Sequence, residues 1–135
     1  MAYPIDQVEG IGPAYAEKLK ALGIKTTAQY LERAKDRKGR AKLAQETGID
    51  DSRILRWANH CDLFRIPGVA GQMSELLEAA GVDTVKELAR RSAPNLAKAM
   101  AEVNAAKKLT GVSPSEKLVV KWIEHAKTLE PMMTH

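Results

Sequence analysis

Aromatic side chains make up only 4% of the 135 residues, and cysteine occurs once. A core with so few rings must be filled by Leu, Ile, Val, Met and Ala. Without long β-branched runs, that composition favours helices packed closely through small side chains. The lone Cys61 can make no internal disulfide, which fits a reducing compartment. No apolar run approaches the ~20 residues needed to cross a bilayer. Met1-Ala2-Tyr3-Pro4 has neither a basic n-region nor an apolar h-region, so the expectation is a soluble, cytoplasmic protein.

Catalytic patterns are missing too. There is no glycine-lysine phosphate loop and no dinucleotide fingerprint after a strand. Ser74, Ser92, Ser113 and Ser115 stand in caps or helices without a His and an acid at a suggestive spacing. Cys61 falls on the apolar stripe of its helix, where a thiol is usually inert. Asp50 and Asp51 precede a helix, so capping explains them better than acid-base work. The expectation is a non-enzyme with no cofactor and no metal. Trp57 with His60 and Trp122 with His125 form a repeated W-x-x-H, but no cysteine or carboxylate pattern completes a metal shell. The tryptophans read as core anchors.

What is present is a mild positive charge, +4, unevenly placed. Residues 33–42, "RAKDRKGRAK", hold Arg33, Lys35, Arg37, Lys38, Arg40 and Lys42 against the single acid Asp36. Such a run is either a solvated helix end or a footprint for a polyanion.

The chain also repeats itself. "VEGIGPAYAEKLKALGIKTTAQYL" lies over "IPGVAGQMSELLEAAGVDTVKEL" at a shift of 58, and "RWANHCDLF" lies over "KWIEHAKTL" at a shift of 65. Pro13 suits the start of a helix and Gly23 its end. Thr26 with Gln29, Thr84 with Glu87, and Ser113 with Glu116 read as three capping boxes. Ile54, Trp57, Ala58, Cys61 and Phe64, and Val119, Trp122, Ile123, Ala126 and Leu129, recur at helical spacing. No stretch alternates long enough for a strand. The fold expected is all-α, one repeat over residues 1–65 and a second, divergent one over 66–135, packed into one helical array.

The Gly10-Ile11-Gly12 turn feeding a helix, in "VEGIGPAYAEKLKALGI", resembles a helix-hairpin-helix. Glycines there bend the backbone sharply and leave amide groups bare at a helix N-terminus, a geometry suited to a phosphate oxygen. The turn, the "GIKTTAQYL" segment and the Trp-bearing helix, repeated over about residues 4–130, resemble the bacterial family DUF4332, whose members carry tandem helix-hairpin-helix (SAM-like) units. "GVDTVKELARR" resembles the acidic repeats at the C-terminus of a bacterial transcription elongation factor, which bind proteins through the same unit.

The resemblance implies non-catalytic, sequence-nonspecific gripping of a nucleic-acid backbone, DNA foremost. It falls on Gly10, Ile11 and Gly12, with Lys18 and Lys20 nearby and Arg37, Lys38 and Arg40 from the basic run. The second copy has Ala70 and Gly71 where the first has Gly12 and Pro13, and it carries Glu75, Glu78 and Asp83. Carboxylates would repel a phosphate there. They favour the alternative, a protein-interaction module that uses the second repeat.

Overall fold

The computed structural model describes residues 2–135; Met1, the first residue of the expected 1–65 repeat, lies outside them. Among the described residues there are eight α-helices and no strand: α1 (Pro13–Ala21), α2 (Thr27–Ala34), α3 (Arg37–Thr47), α4 (Asp51–Leu63), α5 (Gly71–Ala79), α6 (Val85–Ala89), α7 (Ala93–Lys107) and α8 (Glu116–Thr128). A 3-10 turn, Ile5–Gln7, precedes α1, and Pro4 and Thr26 form an isolated antiparallel bridge.

Each boundary has a local cause. Pro13 opens α1, and the Thr26 hydroxyl accepts from the Gln29 amide while Gln29 reaches back, a complete capping box on α2. Asp36, Asp50 and Ser115 cap α3, α4 and α8 through their side-chain oxygens. Two expected boxes are corrected. Thr84 does cap α6, but the Glu87 carboxylate is taken by Arg91 Nε at 3.0 Å. The cap of α8 is Ser115, not Ser113, whose hydroxyl instead meets Asn104 Nδ2.

The elements recur at the shifts read in the sequence. Helices α1 and α5 begin and end 58 residues apart, and α4 and α8 begin and end 65 apart. The turns match atom for atom: the Ile11 amide donates to Val8 O at 3.1 Å and the Val69 amide to Ile66 O at 3.0 Å. Gly10 and Gly68 both hold positive φ, 95° and 88°, with an indole nitrogen beside each, Trp57 at the first and Trp122 at the second.

Burial separates two apolar clusters. One runs from Ile5 to Phe64 around Trp57, Tyr30 and Leu43, the other from Leu63 to Ala126 around Leu76, Leu88 and Trp122. Helices α2, α3 and α4 pack on one another in the first, and α7 and α6 pack on α8 in the second. Both tryptophans are core anchors, 1% and 2% exposed. Trp57 also makes edge contacts with Tyr15 and Tyr30, at 5.2 and 6.4 Å between centroids.

Polar contacts join the halves. Helix α4 packs on α5, where Glu78 Oε1 meets Arg56 Nε at 3.0 Å and Glu78 Oε2 meets the buried His60 Nε2 at 3.1 Å. The buried Asp62 binds Arg65 with one oxygen and accepts the Val85 amide with the other, at 2.8 Å, at the start of α6. Beyond α8, residues 130–135 run as an unwound strap back onto the first half, where Met132 and Met133 pack against its cluster.

Candidate nucleic-acid interface

Helix α1 begins without a side-chain cap. Gly12 is its N-cap, with extended backbone, and a β-carbon placed there would meet nothing within 4 Å. The first intrahelical bond runs from the Ala16 amide to Gly12 O, so the amides of Ala14 and Tyr15 precede the ladder. The bare set is smaller than the turn alone suggested. Ile11 spends its amide on Val8 O and Pro13 has none. Ile11 itself is buried and ties the turn to the first cluster.

The structure divides the eight candidate residues into two groups. Ile11 and Lys20 line a hollow of about 530 Å³ together with Asp6, Pro13, Ala16 and Glu17, so two carboxylates share that surface with one ammonium. Lys18 and Lys20 are exposed and make no ion pair among the described residues. Arg37, Lys38 and Arg40 lie in the first turn of α3, which packs on α2 and α4.

Within the basic run the six cations fare differently. Arg33 pairs with Glu46 and Lys35 with Glu32, each at 2.8 Å. Lys38 and Lys42 are exposed and make no ion pair among the described residues. Arg40 departs from the expectation of a solvent-facing phosphate contact. It is 8% exposed, and its guanidinium donates to Ala34 O at 2.9 Å and Thr134 O at 2.7 Å. Burial pulls its pKa below the usual value, and Asp36 works against that pull. Arg37 is exposed and donates through Nε to His135 O at 3.1 Å.

The second turn is built alike but set differently. Ala70 caps α5 without a side-chain bond, and a β-carbon on Gly71 would stand 3.3 Å from both Gln7 O and a Glu9 carboxylate oxygen of the first half. Of the acidic residues there, Glu78 is occupied by the first half. Its hydrogen bond from His60, then that from Arg56, holds its carboxyl well below the usual range, at about 2.

A model of the domain of unknown function DUF4332 matches residues 9–129. The chain belongs to that family. The matched stretch spans both turns and the eight helices of the described residues of this DUF4332 chain and ends immediately before the strap. No curated protein and no solved structure matches it.

Other chemistry finds little here. Among the described residues no group of three or more His, Cys, Asp and Glu could hold a metal ion, and no helix is long and apolar enough to cross a membrane. Burial pushes the Cys61 thiol far up, so the nucleophilic thiolate is suppressed. Arg56 carries no sequence motif that marks it out from a surface charge. Its place at the junction of the halves, beside His60 and Glu78, depends on pairing across 18 and 22 residues that no local pattern signals.

Proposed function

We propose that this DUF4332 chain is a non-catalytic tandem helix-hairpin-helix protein that grips nucleic-acid backbone, DNA foremost, without reading bases. The observation that carries the reading is the uncapped start of α1: a glycine N-cap facing open space and first-turn amides that precede the helical ladder, with the exposed lysines 18 and 20 in the last turn of the same helix. Such an end favours an anion through its amides and its dipole together. The first turn of α3 supports it. Helix starts favour acids, yet Arg37, Lys38 and Arg40 stand here with no acid in the turn itself, Asp36 capping it and Asp51 lining the same hollow as Arg37 and Arg40. A local electrostatic conflict of that kind is expected at a functional surface.

Salt titration of binding to a duplex of arbitrary sequence tests the reading. Affinity should fall linearly on a log-log plot, with a slope near −0.9 per phosphate contacted. Gly12→Asp supplies a good helix cap, so the fold should hold, yet it places a carboxylate where the phosphate would sit. Gly12→Asp and Lys38→Glu should both weaken binding equally on every sequence. Absence of binding to any single- or double-stranded DNA or RNA at low salt would remove the proposal. The alternative, a protein-docking face on the second half, retains Glu75 and Asp83 but loses Glu78 to Arg56 and His60.

A further inference from the structure

Resting on that reading, we propose that residues 130–135 are an autoinhibitory strap: their backbone carbonyls occupy Arg37 and Arg40 in place of phosphate oxygens, and the polyanion surface opens when the strap leaves. The strap is held almost wholly through its main chain. The Thr134 amide donates to Lys35 O at 2.8 Å, and Arg65, Arg40 and Arg37 donate to the carbonyls of Glu130, Thr134 and His135 at 2.6, 2.7 and 3.1 Å. The His135 ring lies 3.3 Å from Asn59 Oδ1, and Met132 and Met133 supply the apolar contacts. A carbonyl oxygen and a phosphate oxygen are acceptors of the same kind, and the phosphate, being charged, makes the stronger bond to a guanidinium. An incoming backbone can therefore replace the Thr134 carbonyl at Arg40, and Arg37 is released as the strap leaves.

The seat is also loosely filled. A hollow of about 450 Å³ lined by Arg37, Arg40, Ala41, Asp51, Leu55 and His135 lies at one end of the strap. Another of about 340 Å³ adjoins Met132, beside Leu31 and Cys61. The strap has no helical or strand bonds of its own, and Glu130, Thr134 and His135 are exposed. A segment with few buried contacts belongs to the part of a structure that opens locally at low cost.

The test uses the full chain and a fluorescent 20-base-pair duplex, read by anisotropy from 50 to 300 mM salt. Met132→Gln with Met133→Gln removes the apolar hold. Thr134→Pro removes the Thr134 amide without touching the cluster, which keeps the test valid if the first variant folds poorly. Release is read independently as faster hydrogen exchange at the strap. Both variants should bind about tenfold more tightly, with a log-log salt slope steeper by about 1.8, as two further phosphate contacts require. A synthetic peptide of residues 129–135 should reverse the gain, and adding Arg40→Gln should reduce it. Equal affinity and slope in wild type and variants would overturn the strap while leaving the backbone-binding reading intact. Tighter binding by the wild type would overturn it as well, by making the strap part of the bound surface. Absence of binding by every protein would overturn both.

Discussion

At the scale of single residues, two glycines with similar reputations have opposite jobs. Gly39 sits near the start of α3, where a β-carbon would come 2.1 Å from Arg33 O at the end of α2. A glycine within a helix normally loses about 0.5–1 kcal/mol against alanine, so a naive substitution should stabilise. Here Gly39→Ala should instead cost about 2 kcal/mol or more, because backbone must move to admit the methyl. Gly12→Ala, with open space around it, should stay within about 1 kcal/mol of wild type. Urea denaturation of the two variants separates them, and equal stabilities would contradict the close approach of α2 and α3.

Glu78 offers a second residue-level check through pH. Its carboxyl is held down from 4.5 to about 2, so its bonds with His60 and Arg56 add stability that is fully present above the ordinary glutamate value and vanishes as pH falls towards about 2. With the side chain 28% exposed, the contribution is on the order of 2 kcal/mol. Glu78→Gln should therefore be less stable than wild type by that amount at pH 7, with the gap narrowing between pH 4.5 and pH 2. A gap independent of pH would show that His60 and Arg56 do not hold this carboxylate.

At the scale of elements, α6 is the weakest link by length, five residues that cannot stand alone. It is fixed from outside by Asp62, whose carboxylate receives the Val85 amide, and from its own end by Thr84. Asp62→Ala would orphan that buried amide and leave Arg65 with the Glu130 carbonyl alone, at a cost of about 1–3 kcal/mol. Hydrogen exchange at Val85 should quicken before exchange in α8 does. The same short helix shows what sequence can and cannot carry. Thr84 announced its start, and Gly10, Gly23 and Thr26 announced elements of the first half, because caps and positive-φ glycines act within a few residues of themselves. Asp62 gave no such notice, and neither did Arg40, whose second acceptor lies 94 residues away. Arg40 looks in the sequence like one more cation in a solvated run. The Ala34 carbonyl and the returning strap, which carries no motif, together turn it inward.

At the scale of the whole molecule, the halves differ in what their equivalent turns face. The first leaves Gly12 towards open space, whereas the second sets Gly71 against Gln7 and Glu9. Unequal exposure of two similar turns would let one half serve as scaffold and the other as contact surface. A charge-reversing pair tests that division: Lys18→Glu with Lys20→Glu should abolish duplex binding at low salt, whereas Lys117→Glu with Lys121→Glu on α8 should change it by less than threefold. The reverse ranking would transfer the interface to the second half.

Both tails of the described chain are fastened to one short helix. The Tyr3 carbonyl accepts the Thr27 amide at the start of α2, and the Thr134 amide reaches the Lys35 carbonyl just past its end. At 1.5 Å of rise per residue, those anchorages lie roughly 12 Å apart. A peptide bridge of about five residues would span that gap and close the described residues into a backbone-cyclised ring. New termini could then be opened at the exposed Gly111–Val112 loop, leaving α2 as a stitch inside an unbroken loop of chain.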